Sequence, residues 1–212
     1  MLLLAFDTSS PAVTVAVHDG AQVVGRASGE GAIAHGELLA PAIEEALHQA
    51  GAGPTDLTDV AVGVGPGPFT GLRVGVVTAL TLASTLGLRS HGVCSLDVLA
   101  QDVRGQVDTF LVATDARRKE VYWGLYDSAA RRIEGPGVGR PDDVARRHAT
   151  CPAVGRGASL YADHFSAMTG PQDPSADALA SGVVAGRFIE VPLEPIYLRR
   201  PDVTLAAAPK RA

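Results

Sequence analysis

Apolar residues run without interruption from Leu2 to Phe6 and stop at Asp7, the pattern of a strand buried on both faces. Val13, Val15 and Val17 then alternate with smaller or polar residues, and Asp19-Gly20 is a hairpin turn signal, so Val13–Val17 is predicted to pair antiparallel with Gln22–Arg26. Leu38, Leu39, Ala42, Ile43, Ala46 and Leu47 fall at helical spacing, which predicts a helix from about Glu37 to Gln49 with Gly51 just past its end. Pro41 lies inside that pattern, so the helix either starts just before it or kinks there. Val60–Val64 reads as another buried strand, Leu72–Leu86 as a helix, Ser90–Val93 as a short strand and Leu96–Arg104 as a third helix.

The chain also matches itself. Shifted by 108 residues, Leu4–Asp19 lies on Val112–Asp127, with Ala5, Asp7, Val13 and Asp19 meeting Ala113, Asp115, Val121 and Asp127. Each copy is an apolar strand ending in aspartate, a polar turn, and an alternating strand ending in aspartate. This predicts two related α/β lobes, about residues 1–105 and 106–212. The second is the reduced one, because beyond Asp127 only fragments stand out: Pro141–His148, Ala153–Gly157 and Ser175–Ala185.

The 212 residues are 46% hydrophobic, enough for a substantial core, and carry a net charge of −5 with lysine only at Lys119 and Lys210. That balance argues against a broad nucleic-acid footprint, which needs clustered cations. Cys94 and Cys151 have no paired spacing and suit a reducing cytoplasm. The opening Met-Leu-Leu-Leu-Ala-Phe is too short for a signal peptide, and no apolar run approaches the roughly 20 residues of a membrane span.

Candidate chemistry centres on Gly63–Gly75, a glycine- and proline-rich turn between a predicted strand and a predicted helix. Backbone N–H groups in such a turn can cradle phosphate. Here Pro66 and Pro68 each remove a donor, and no Gly-Lys-Ser/Thr follows. A rigid structural corner built on Gly65, Gly67, Thr70 and Gly71 is the better reading, with Thr70 capping the helix and Gly67 and Gly71 supplying unusual backbone angles. The histidines at 18, 35, 48, 91, 148 and 164 include no two spaced three to five apart, so no helical metal pair is expected. Ser9, Ser10 and Asp7 lack a histidine placed to complete a triad, and Cys94 reads as a packed, inert thiol. Gly75, Ala79 and Ala83 form a stripe of small residues that suits either this protein's own sheet or a partner helix.

Gly65-Pro66-Gly67-Pro68-Phe69-Thr70-Gly71-Leu72-Arg73-Val74-Gly75 resembles the glycine-rich signature of the TsaB (YeaZ) family of tRNA threonylcarbamoyladenosine biosynthesis, with Pro68 where that signature has serine. Ala5-Phe6-Asp7-Thr8-Ser9-Ser10, His35 leading into Leu38-Leu39-Ala40-Pro41, Asp115-Ala116-Arg117 and Pro195-Ile196-Tyr197-Leu198-Arg199 extend the resemblance. It covers the first 127 residues well and 128–194 only loosely. The resemblance implies the two-lobed actin, Hsp70 and sugar-kinase fold. In ATPases of that fold, aspartates at the positions of Asp7 and Asp115 face magnesium and phosphates. The two are either a retained nucleotide site or hairpin caps, and the caps are favoured because Arg117, Arg118 and Lys119 stand where glycines would admit phosphate.

The catalytic paralogue TsaD holds a metal with His-x-x-x-His, but here the companion of His35 is Leu39, so His35 is expected to cap or pack. The resemblance further implies a cytoplasmic, non-catalytic protein with no cofactor and no metal. It would bind and activate a TsaD-like transferase acting at adenosine 37 of tRNAs that read codons beginning with A, with a TsaE-like ATPase joining. Contact with tRNA would come only through the complex, and alone the protein would form a homodimer. Its partner interface would lie on Leu38, Ala42, Ala46, Gly75, Ala79 and Ala83. The rival readings are an ATP-using kinase or ATPase of the same fold, and a metallopeptidase.

Overall fold

The computed structural model describes residues 1–30 and 35–199. The first half builds a five-stranded sheet from β1 (Leu3–Asp7), β2 (Ala12–His18), β3 (Val23–Glu30), β4 (Asp59–Gly63) and β5 (Arg89–Val93), in the order β3-β2-β1-β4-β5. β1, β2 and β3 form an antiparallel meander, while β4 and β5 run parallel to β1. Parallel neighbours need crossovers: α1 (His35–Gln49) lies between β3 and β4, and α2 (Phe69–Leu86) between β4 and β5. β1 and β4 are buried along their whole length, the carboxylates of Asp7 and Asp59 included, as central strands of mostly apolar sequence are.

The second half repeats the plan on a smaller scale. After α3 (Ser95–Gln101), β6 (Thr109–Asp115), β7 (Val121–Asp127) and β8 (Arg132–Gly139) make an antiparallel meander, and the two-residue β9 (Ala153–Val154) runs parallel to β6, in the order β8-β7-β6-β9. The short helices α4 (Pro141–Arg147) and α5 (Arg156–Leu160) flank this sheet. α6 (Ala176–Val184) instead packs beneath the first sheet, where Ala176, Leu179 and Ala180 join Leu3, Ala5, Ala16 and Ala61 in one apolar cluster.

The halves are tied together by a buried polar contact. Tyr126 on β7 donates a hydrogen bond of 2.7 Å to Asp97 on α3, and Arg132 on β8 pairs with the same carboxylate at 2.9 Å. Burial pushes the Asp97 carboxyl up, and the charge of Arg132 opposes that push. Around them Cys94, Leu96, Leu99, Phe110 and Val112 close an apolar cluster shared by α3 and the second sheet.

Three expectations change in detail. α1 begins at His35 and runs through Pro41 rather than starting beside it. α2 begins at Phe69, so Pro68 occupies the N-cap and no side chain caps the helix; Thr70 lies within the first turn and is exposed. β8 carries no strand signal in its sequence, because Arg132–Gly139 contains three glycines and a proline.

Candidate functional site

The ends of β1, β4 and β6 converge with the start of α2, and the geometry there is decided by close packing. Asp7, the last residue of β1, is 1% exposed. One carboxylate oxygen accepts from the backbone N–H and hydroxyl of Ser9 at 2.7 and 2.6 Å; the other accepts from Ser95 Oγ at 2.6 Å. Ser95 also accepts from the N–H of Gly65 at 3.0 Å, so Asp7 holds the glycine loop and the start of α3 in place. A β-carbon on Gly63 would fall 1.7 Å from Asp7 Oδ2, which seals the remaining side. Burial pushes the Asp7 carboxyl up, and the serine hydrogen bonds restrain the shift.

The glycines of the loop serve mainly to make room. Only Gly65, at φ +93°, needs a backbone that L-residues avoid. β-carbons at Gly67 and Gly71 would lie 2.3 Å from the carbonyl oxygens of Ser9 and Thr8, and one at Gly75 would lie 2.4 Å from Thr8 Oγ1. The expectation of unusual angles at Gly67 and Gly71 is therefore corrected to one of steric clearance. The Thr8 hydroxyl donates to the Gly71 carbonyl at 2.8 Å and fastens α2 to the β1–β2 turn. His35 is buried, with Nε2 2.7 Å from the Ser10 carbonyl, and Leu39 lies in the core of the first sheet.

Asp115 occupies the corresponding end of β6 and accepts from the N–H of Arg117 at 2.8 Å, an Asx turn. Arg117, Arg118 and Lys119 all adopt positive φ, of 63°, 52° and 61°. Beside Asp115 lies a small space of about 20 Å³, bordered by Ser9, Ser10, Pro68, Thr114 and Asp115, with Arg156 and Asp173 on one side; Asp7 does not reach it. Arg156 Nε donates to Asp173 at 3.0 Å, and this hydrogen bond holds the guanidinium pKa up. Nothing in the sequence pointed to that pair, which lies in the loosely patterned region after Asp127. Among the described residues, no three His, Cys, Asp or Glu side chains gather into a group able to hold a metal ion.

The small-residue stripe turns inward. Gly75 and Ala79 are buried against β1 and β4, and Ala83 packs on the same cluster. On α1, Ala42 and Ala46 are likewise buried, while half-buried Leu38 leans on β3 at Gly29. The expected interface residues thus hold the helices to their own sheet, because only small side chains let helix and sheet approach this closely. The opposite face of α2 is open, with Val77 58% and Leu80 47% exposed. α2 is long and apolar enough, by length and composition, to cross a membrane, yet Gly71, Leu72, Gly75, Val76 and Ala79 are buried in the fold.

Two meander-plus-parallel-strand sheets, the second reduced, with an aspartate at the end of each first strand, define a two-lobed α/β protein of the actin, Hsp70 and sugar-kinase class. Residues 29–183 match the family model described as TsaD: tRNA N6-adenosine threonylcarbamoyltransferase. The structure of YeaZ from Pseudomonas aeruginosa is similar at TM-score 0.76 and 30% identity, covering 93% of this chain and 99% of that one. An uncharacterized protein of Mycobacterium tuberculosis is 42% identical over 205 residues, 94% of this chain and 92% of the relative. The tRNA threonylcarbamoyladenosine biosynthesis protein TsaB of Bacillus subtilis is 35% identical over 126 residues, 59% of this chain; the chain spans about half, 55%, of that relative. The chain belongs to the TsaB (YeaZ) family, whose named members are tRNA threonylcarbamoyladenosine biosynthesis proteins.

Proposed function

We propose that this protein is a non-catalytic, cytoplasmic subunit of tRNA threonylcarbamoyladenosine synthesis, with lobes at 1–105 and 106–212. It binds and activates a TsaD-like transferase that modifies adenosine 37 of tRNAs reading codons that begin with A. A TsaE-like ATPase joins the pair, and the chain self-associates when alone. The observation that carries the partner-binding role is the outer face of α2, where Val77 and Leu80 are exposed large apolar residues on an 18-residue helix. An apolar helix face left open to water suits a helix-to-helix contact with another protein. The absence of catalysis is supported by Asp7, whose carboxylate oxygens are both committed to serines, and by the small volume, about 20 Å³, of the space beside Asp115, Arg156 and Asp173. A site for ATP and magnesium needs open room and uncommitted carboxylates.

The test is to mix the protein with the TsaD-like protein of the same organism and follow the mixture by size-exclusion chromatography with light scattering. A stable heterodimer is expected, lost in the double variant Val77→Glu, Leu80→Glu while each protein remains folded. A double variant that pairs normally would move the interface off α2.

A further inference from the structure

Beyond α6, residues 187–199 run back as a strap along the outer edge of the first sheet. The Val191 N–H donates to the Gly92 carbonyl on β5 at 2.9 Å, in antiparallel sense, and the Ile196 N–H donates to the Val64 carbonyl at 2.8 Å, beside the glycine loop. Val191, Leu193 and Ile196 pack on the apolar cluster of the first sheet, and Ile196 and Leu198 also pack on the cluster shared by α3 and the second sheet. The strap thus clasps both lobes. Its fit at β5 is close, because a β-carbon on Gly92 would fall 2.4 Å from the Val191 carbonyl oxygen.

At this point one imidazole joins strap to sheet. His91 on β5 has a carboxylate at each ring nitrogen: Nδ1 lies 2.9 Å from Glu190 Oε1 on the strap, and Nε2 lies 3.2 Å from Asp59 Oδ1 on β4. Asp59 is buried and firmly held, accepting from the Thr58 hydroxyl at 2.5 Å and from the Arg89 guanidinium at 2.9 and 3.0 Å. Burial pushes the Asp59 carboxyl up, but the hydrogen bonds from Thr58, Arg89 and His91 outweigh it and keep the group below the usual carboxylate range. Glu190 is half exposed. The charged groups facing His91 are therefore Asp59 from β4, Arg89 from its own strand and Glu190 from the strap. A neutral imidazole donates through one nitrogen and accepts through the other, whereas a carboxylate only accepts. Only the imidazolium can satisfy both carboxylates at once.

We propose that His91 is a proton-operated latch on this strap. Doubly protonated, it ties Glu190 to the sheet. On losing one proton it keeps its bond to the buried, firmly held Asp59 and turns a bare lone pair toward Glu190, so the strap loosens at Val191. Imidazole ordinarily changes charge between about pH 5 and 8, which makes the clasp on the two lobes responsive to pH near neutrality. The device is separate from partner binding and uses neither Val77 nor Leu80.

The experiment is NMR on the full chain from about pH 5 to 8, the ordinary imidazole range. It follows the His91 ring nitrogens and the hydrogen-exchange protection of the Val191 amide, corrected for the intrinsic dependence of exchange on pH. Protection should fall by about threefold to tenfold as pH rises, the loss of one half-exposed charged hydrogen bond, with its midpoint where His91 itself titrates. Glu190→Gln should abolish the step and keep Val191 protected throughout, since an amide accepts from the imidazolium and donates to the neutral ring. His91→Gln, which does not titrate, should abolish the step as well. The proposal is overturned if protection in the native chain shows no step, if the midpoint departs from the titration of His91, or if the step survives in Glu190→Gln. Glu190 lies on the surface strap, so the test stands even where His91→Gln fails to fold.

Discussion

Two glutamates placed two residues apart on α2 should have opposite consequences. Ala79 is fully buried in the cluster that joins α2 to β1 and β4, among Phe6, Val62 and Val76. Ala79→Glu would force a carboxylate and extra side-chain atoms into that contact. An uncompensated buried charge costs about 3–5 kcal/mol, and overpacking adds about 1–3 kcal/mol. Against a total stability of about 5–15 kcal/mol, that loss lowers the melting temperature by about 8 °C or more, at about 2–4 °C per kcal/mol for a chain of this size. Val77 points to solvent, so Val77→Glu should change stability by no more than about 0.5 kcal/mol and the melting temperature by about 2 °C or less. Thermal unfolding followed by circular dichroism compares the two directly. If Ala79→Glu melts like the native protein, or Val77→Glu proves the more damaging, α2 presents the other face to the sheet and the proposed interface is misplaced.

Two further outcomes concern titrating groups. Partial desolvation, reinforced by nearby Asp177, pushes the carboxyl of surface-exposed Asp102 up to about 6. The native state therefore holds this proton more tightly than the unfolded chain, whose value is about 3.9, and the stability Asp102 contributes is full below about pH 4 and is lost as pH rises through about 6. Asp102→Asn should melt higher than the native protein at pH 7 and alike at pH 4, and an equal difference at both would contradict the assignment. Burial also pushes the Cys94 thiol up to about 12, whereas Cys151 is half-buried. A thiol reagent at pH 8 should label Cys151 alone in the native protein and both cysteines in denaturant; rapid labelling of Cys94 in the native state would show that the α3 cluster opens.

What the sequence disclosed followed from strong local signals. The apolar run ending at Asp7, the Asp19-Gly20 turn and the shift of 108 residues between Leu4–Asp19 and Val112–Asp127 became two meanders with the same strand order. Where the signals conflicted, long-range packing decided. α2 carries a small face, Gly75-Ala79-Ala83, and a large apolar face that includes Val77 and Leu80, and periodicity alone cannot say which is buried. The small face won because the Thr8 hydroxyl lies where a side chain at Gly75 would go, and that approach is set by residues 67 positions away in the chain. β8 stayed hidden because its glycines and proline have no strand preference of their own, and its pairing with β7 overrides that. The serine that binds the second oxygen of Asp7 is 88 residues distant, and the Arg156–Asp173 pair lies where no motif pointed.

The central claim is that the protein supports a transferase without performing chemistry at its own aspartates. Asp115 is the residue to change, since it is half-buried, caps its own hairpin and can be removed without opening the core. The measurement is formation of threonylcarbamoyladenosine on tRNA by the reconstituted TsaD-like enzyme, TsaE-like ATPase and this protein, comparing the native chain with Asp115→Ala. Modification should depend on adding this protein and should proceed at the native rate with Asp115→Ala. Modification that needs no added protein, or a loss of about tenfold or more, about 1.4 kcal/mol of barrier, with Asp115→Ala in an intact heterodimer, would contradict the account.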